Sequence, residues 1–406
     1  MKKDGKQSSV LIIALCWVAY TVAYIGRLNL NAYIEPIRDQ LGASKTELGL
    51  VSSFFFFSYG AGQLVHGILS KKYNTRFSVT AALCGSAAVN IAMALCTSPS
   101  AMKYIWLLNG FFQSILWSSV IKTLADRLPD DMLPKAIMVM STPPAIGTFL
   151  VYGMSALLSA AGVSYKTVFI IPAVLLGISG CAWFVLIRTA DKTETPKPAE
   201  AKKRVALTPA FIFGAVLLCF AAISNGFIKD GVTTWTPSIL KERYGMKEAL
   251  SILITVILPL IAVIGAWFST ALHKIQKNTS VLNGALYFAE SLILLFVLLQ
   301  ARASVKSPVL LIVLFSISAM LMSAVNNVIT SIIPLYMRDR AAPGLLAGVL
   351  DTFCYVGSTL STGLLGYISD KSSWNGVFLC LFIFGAAAFC ACVISAVSGK
   401  KQIRPD

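Results

Sequence analysis

The chain has 406 residues, 56% of them hydrophobic and 13% charged, with a formal net charge of +16. A soluble domain carries about twice that charged fraction, so a mean hydropathy of +0.75 spread over long apolar runs excludes a soluble protein in favour of a polytopic membrane one. The basic excess does not mark a nucleic-acid partner: of 34 Lys and Arg, 21 fall in one alternating set of polar segments, 10 in the other and 3 inside apolar runs, which is the positive-inside bias.

By that bias both termini are expected in the cytoplasm. The first apolar run has no small-residue cleavage site and is followed by further runs, so it reads as a retained helix. The nine cysteines lie in or beside apolar runs without a CxxC pair and read as small packing residues. Short loops and the absence of a targeting extension favour a bacterial inner membrane.

Hydropathy and turn residues predict twelve spanning helices, roughly 9–34, 47–69, 77–96, 101–126, 134–161, 165–188, 209–240, 247–272, 280–301, 307–335, 343–369 and 374–398. Each can cross a hydrocarbon core of about 30 Å. The stretch from Arg188 to Pro209 is polar, basic and Pro-containing. It divides the chain into an N-terminal six-helix unit (1–188), a cytoplasmic linker (189–208) and a C-terminal six-helix unit (209–406). The halves repeat: "AIGTFLVYG" from Ala145 matches "YVGSTLSTG" from Tyr355, and "SYKTVF" from Ser164 matches "SWNGVF" from Ser373. Two matches at nearly one offset argue for duplication, and a six-plus-six repeat places a substrate site near the midplane between halves.

Two cations stand inside apolar spans at matching depth: Arg27 in the first and Lys229 in the seventh. A mid-membrane charge costs about 2.5–3.5 kcal/mol even on the lenient insertion scale, so accepting it twice, once in each half, points to an anionic ligand. Helical spacing adds polar stripes. Span one carries Tyr20, Tyr24, Arg27 and Asn31; span two Tyr59, Gln63 and His66; span seven Asn225, Lys229 and Thr233; span eleven Asp351, Tyr355, Ser358 and Thr362. Such groups face a cavity or another helix. Bland readings stand beside these: Arg27 as an ion-pair partner of Asp351, Lys229 balanced by Asp230, and the Tyr and Asn stripes as interhelical hydrogen bonds. Asp351 and Glu290, the latter in mid-span nine, are either neutral packing groups or carriers of a coupling proton.

Several segments together resemble the organophosphate:phosphate antiporters of the major facilitator superfamily, which include glycerol-3-phosphate and hexose-phosphate transporters. They are "YIGRLN" in span one, "GFFQSILWSSVIKT" from Gly110, "KDGVTTWTPSIL" from Lys229 and "GYISDKSSWNGVF" near the last external turn. The resemblance implies an all-α major facilitator fold of twelve helices in two bundles, with a phosphate carried on one arginine from each half. Arg27 matches the first, and Lys229 stands in the place of the second. Tyr20, Tyr24, Tyr59 and Tyr355 match cavity tyrosines. Gln63 replaces a lysine of the glycerol-3-phosphate members, Pro144 a cavity histidine, and Asp351 a small residue. Lysine meets a phosphate as a point charge, without the bidentate fork of guanidinium, so a carboxylate or phosphonate substrate is also open.

No P-loop, metal-ligand cluster or nucleophile–base arrangement occurs in the sequence, and neither an enzyme nor a cofactor is expected. The expected activity is secondary transport of a small organic anion, a phosphate ester exchanged for inorganic phosphate by alternating access in a lipid bilayer, carried out by a monomer. The substrate contacts expected are Arg27, Lys229, Tyr20, Tyr24, Asn31, Tyr59, Gln63, Asn225 and Tyr355. Two alternatives remain: proton-coupled anion symport through Asp351 or Glu290, and a non-transporting sugar-phosphate sensor on the same fold.

Overall fold

A computed structural model describes residues 2–69, 74–129, 131–140, 142–187, 209–302, 307–336 and 343–400. The linker 189–208 and much of the basic set, including Lys71, Lys72, Arg338 and Arg340, lie outside them.

The long helices are α1 (Ser9–Ala32), α2 (Lys45–His66), α3 (Thr75–Leu95), α4 (Pro99–Arg127), α5 (Lys135–Ala160), α6 (Tyr165–Leu186), α7 (Ile212–Tyr244), α8 (Glu248–Ile275), α9 (Thr279–Arg302), α10 (Pro308–Ile332), α11 (Pro343–Lys371) and α12 (Trp374–Ser398). Among the described residues, all but α11 are long and apolar enough to cross a membrane. Asp351 and the hydroxyl-rich run from Ser358 to Thr362 make α11 more polar; these faces pack on α2 and α7, while Val356, Leu360 and Leu364 stay exposed on its outer face. The outer surface carries large apolar side chains such as Phe77, Leu157, Trp267 and Leu299, as a helix bundle in lipid requires.

Helix ends follow capping chemistry rather than hydropathy. The seventh helix runs past the predicted residue 240 to Tyr244, where Gly245 takes φ 65° and stops it. Its last turn therefore lifts Lys241, Glu242 and Arg243 out of the apolar stretch. A separate short helix, Ile34–Leu41, follows α1.

The duplication is visible in caps and in packing. The Asn74 side chain accepts the Arg76 N–H before α3, and the Asn278 side chain accepts the Ser280 N–H before α9. Ser98-Pro99 and Ser307-Pro308 open α4 and α10 alike. In the first half α1 packs on α5 and α6, α2 on α4, and α3 on α4 and α6; in the second half α7 packs on α11 and α12, α8 on α10, and α9 on α10 and α12. Gly226 and Gly357 permit the α7–α11 crossing, since a Cβ on either would lie 1.8 Å from a carbonyl oxygen of the other helix.

The halves meet through α2 against α11 and α5 against α8. We call the side on which α1 begins and α12 ends the terminal face, and the other the distal face. At the distal face an ionic cluster joins the halves. Glu242 accepts from Arg38, lies 3.0 Å from the Lys45 Nζ and accepts the Trp374 indole N–H at 2.9 Å. The Lys241 Nζ lies 2.6 Å from Asp39 and 2.7 Å from Glu248. Glu35 pairs with Arg38 at 2.9 Å and accepts the Ser238 hydroxyl; burial nonetheless holds its carboxyl above the ordinary carboxylate range. Asp370 accepts both the N–H and the hydroxyl of Thr46.

Candidate functional site

Arg27, nearly four-fifths of the way along α1, is 5% exposed. Its Nε donates to the Gln113 Oε1 at 3.1 Å. Three tyrosines ring it: the guanidinium carbon lies 4.1 Å from the centroid of Tyr24, 4.8 Å from Tyr59 and 6.0 Å from Tyr20. Arg27 forms no ion pair among the described residues, and its buried Nη2 has no hydrogen-bond partner there. The Arg27–Asp351 ion pair weighed from the sequence is therefore not formed. Each ring contributes about 0.5–2 kcal/mol of cation–π attraction, against an effective penalty of several kcal/mol for a buried ion. The guanidinium is held by dipoles and rings, and among the described residues no carboxylate lies within ion-pair distance of it.

What orients Arg27 was not legible from stripes or charges. Gln113 donates through Nε2 to the Ser86 Oγ at 2.9 Å. Ser86 in turn donates to the Asn109 Oδ1, and the Asn109 amide donates to the carbonyl of Gly26, the residue before Arg27, at 3.0 Å. Asn90 also donates to the Gly26 carbonyl and accepts from Asn29. This chain of buried amides fixes the arginine from behind. The break of helical geometry at Ile115, just after Gln113, marks the same spot. Gln113 belongs to the quoted "GFFQS" segment, the one sequence signal that pointed to it.

Across the interface, the Tyr59 ring stands 4.8 Å from that of Tyr355 on α11, which links the Arg27 group to the second half. Lys229 has a side chain 34% exposed, 3.8 Å from the Asp230 carboxylate, and Asp230 accepts the Ser358 hydroxyl. The local balance of Lys229 by Asp230 weighed from the sequence is thus present. Lys229 also lies within electrostatic reach of Asp351 and Tyr24. Asp351 lies beside Gln63 of α2 and within electrostatic reach of Lys229, Asp230 and Arg27.

Arg27, Tyr20, Tyr24, Tyr59, Gln63, Lys229, Asp351 and Tyr355 therefore form one group shared by both halves. Two other expected contacts, Asn31 and Asn225, and the candidate proton carrier Glu290 take different places. Asn31 donates to Thr234 of α7 at 3.2 Å and accepts from Ser52 at 2.6 Å, a tie between halves on the distal side of Arg27. Asn225 is fully buried and donates to the Met322 carbonyl at 2.7 Å, bracing α7 on α10. Glu290 is fully buried on α9, accepts the Ser318 hydroxyl of α10 at 2.5 Å, and lies inside the C-terminal bundle. Helical periodicity gave the spacing of Asn31 and Asn225 but not the rotation of each helix.

Comparison with known proteins agrees with this architecture. The profile of the Major Facilitator Superfamily matches residues 16–342. The chain belongs to this superfamily. Over 95% of its length it is 25% identical to the glycerol-3-phosphate transporter of Bacillus subtilis (strain 168), covering 91% of that protein. It is 31% identical to the membrane sensor protein UhpC of Escherichia coli (strain K12) over 27% of this chain and 25% of that one. Among solved structures, a bacterial homologue of the human lysosomal transporter Spinster, in an inward-facing and unoccupied conformation, superposes with a TM-score of 0.74 at 13% identity, covering 97% of each chain. In this superfamily the fold and the relatives are those of transporters, not enzymes. The chain is a multi-pass membrane protein of the transporter class.

Proposed function

We propose that this protein carries a small organic anion, a phosphate ester such as a sugar or glycerol phosphate, across the bacterial inner membrane by alternating access, in exchange for inorganic phosphate. The observation that carries this reading is Arg27, a buried guanidinium with no ion-pair partner among the described residues, aimed by Gln113 into a tyrosine-lined group that both halves share. A phosphate ester supplies the missing charge and satisfies the free Nη2. Lys229 contributes from the second half. Tyr20, Tyr24, Tyr59, Tyr355 and Gln63 shape the site, with Asn31 and Asn225 at its borders. The relationship to a glycerol-3-phosphate transporter supports the ester class.

On this reading the terminal face is cytoplasmic, the two units are 1–188 and 209–406 joined by the linker 189–208, and one chain suffices. The distal ionic cluster then closes the external side, and the site is reached from the cytoplasm. Substrate draws the halves together on that side and the distal pairs separate.

Asp351 favours a second reading. Arg27 and Lys229 share their neighbourhood with Asp230 and Asp351, so two cations face two carboxylates. Full ionisation leaves little net charge for a dianion, and protonation of Asp351 restores it. Proton-coupled anion symport follows if that proton travels with the substrate. Glu290 has no such position, since its bundle interior is separate from the group.

The test is flux in proteoliposomes with glycerol 3-phosphate and glucose 6-phosphate. Exchange requires phosphate or ester inside; symport responds to an imposed pH gradient with no internal anion. Saturable binding without flux supports a sensor instead. Arg27→Ala is expected to abolish ester binding, and normal transport by that variant would end the assignment.

A further inference from the structure

The C-terminal bundle holds a half-open cavity of about 760 Å³ near the terminal face, walled by the first turns of α9, the opening turns of α7 and α11, the end of α12 and the residues that follow α10. It is separate from the Arg27 group and plays no part in the anion reading. The repeat shows what belongs at this place. Caps and matched segments pair Gly214 with Ile12, Asn283 with Val79, Ile333 with Leu124, Leu350 with Met140 and Cys392 with Trp183. In the N-terminal bundle the five partners are all buried in one contiguous core cluster, with Trp183 1% exposed. In the C-terminal bundle the indole has become a thiol and the isoleucine a glycine, and the volume is open. Protein interiors hold few voids larger than a water molecule, whereas ligand pockets run to about 300–1,000 Å³.

The chemistry of the wall selects an occupant. Asn283, at the position of a valine in the other half, is 2% exposed, lines the cavity, and leaves its Oδ1 without a hydrogen-bond partner among the described residues. The Ser280 and Ser395 hydroxyls meet beside it at 3.1 Å. This makes one polar strip on α9 and α12; Leu218, Ile333 and Leu350 make the rest of the wall apolar. A buried acceptor calls for a donor, and an apolar volume of this size takes a hydrocarbon chain. Lys277 stands exposed two residues before Thr279 of the wall, a cation on that side of the cavity.

We infer that the cavity is a binding site for a single-chain lipid, with its acyl tail in the volume left by the missing indole and a hydroxyl or carboxyl O–H donated to Asn283. The tail would touch α7 and α11, the helices that carry Lys229 and Asp351; Leu350 of the wall adjoins Asp351 directly.

The experiment uses the full chain in nanodiscs of a fixed diacyl lipid, probed separately with radiolabelled palmitic acid and palmitoyl-lysophosphatidylglycerol. Saturable binding of at least one probe is expected. Palmitic acid alone would assign the site to a free fatty acid, the lysolipid alone to a bilayer lipid, and both to the shared chain chemistry. Cys392→Trp, which restores the indole of the other half, should weaken binding at least about tenfold, and Asn283→Val should weaken it while leaving the tail space intact. Gly214→Ile gives the same readout if the tryptophan variant does not fold. Ester binding at Arg27 is expected to be unchanged in all three variants. Absence of saturable binding to the wild type, or equal binding to wild type and a folded cavity-filling variant, overturns the inference.

Discussion

Gln113 presents its carbonyl oxygen to the Arg27 Nε at 3.1 Å while its amide donates to Ser86. The arginine is thereby aimed by a neutral group, and its charge stays available. This relationship makes Gln113→Glu an informative change. A carboxylate at the same place would pair permanently with the guanidinium, so ester binding should fall by about a hundredfold or more while the thermal midpoint holds or rises. Gln113→Leu removes the orientation without adding charge, and a loss of roughly tenfold is expected, the scale of one net hydrogen bond to a charged group. Calorimetric titration with glycerol 3-phosphate and a melting curve for each variant distinguish the two.

Lys229 and Arg27 differ in surroundings, and their substitutions should differ too. Lys229 is partly exposed and already has Asp230 at 3.8 Å. Lys229→Arg should retain measurable ester exchange, because the charge is kept and a fork is gained. Lys229→Ala leaves Asp230 beside the site and should raise the KM strongly. Concentration-dependent uptake of both variants is the check, and an unchanged KM in Lys229→Ala would remove the lysine from the site.

Asp351 offers the cleanest separation of mechanisms. Asp351→Asn keeps the shape and the capacity to bond Gln63 but cannot carry a proton. If transport is exchange, phosphate-for-ester exchange should survive and gain affinity for the dianion, since a carboxylate has left the neighbourhood of Lys229. If transport is symport, uptake driven by a pH gradient should disappear. Both fluxes measured on one preparation decide the matter.

The distal cluster predicts a conformational effect. Glu242 gathers Arg38 and Lys45 from the first half and Trp374 from its own. Glu242→Ala removes a carboxylate that Arg38 and Lys45 share across the halves and leaves Arg38 to Glu35 and Asp39 and Lys45 to Asp370, so the closed distal face should lose on the order of 1–3 kcal/mol. Spin-label distances across that face, measured without substrate, should show a larger open population. High salt should narrow the difference from wild type, since the groups are only partly buried. No change in the distance distribution would mean that the remaining ties, Lys241 to Asp39 and Asp370 to Thr46, and the α2–α11 contact hold the face shut without Glu242.

Much of this protein is legible in its sequence because a bilayer leaves few choices. Backbone groups in hydrocarbon must bond within their own segment, so a long apolar run with no charges is a helix, and hydropathy locates it. The duplicated segments, the mid-span positions of Arg27 and Lys229 and the tyrosines between them follow from reading along the chain. So do the limits of that reading. Hydropathy placed the end of α7 at residue 240, but the helix stops where Gly245 allows it.

What the linear order could not decide is rotation and company. Asn31 and Asn225 stand at the same spacing as Tyr24 and Gln63, and Glu290 is an acid in mid-span, yet all three turn toward other helices, because each helix settles where side chains of several neighbours interlock. The amide chain from Gln113 through Ser86 and Asn109 to Gly26 joins three helices, and no single stretch contains its pattern. The absence of an ion-pair partner for Arg27 among the described residues, and the hollow where Cys392 stands in place of a tryptophan, are properties of space between segments. Composition and order set the helices and their charges; only close packing of one helix on another decided which charges are answered and which volumes are left open.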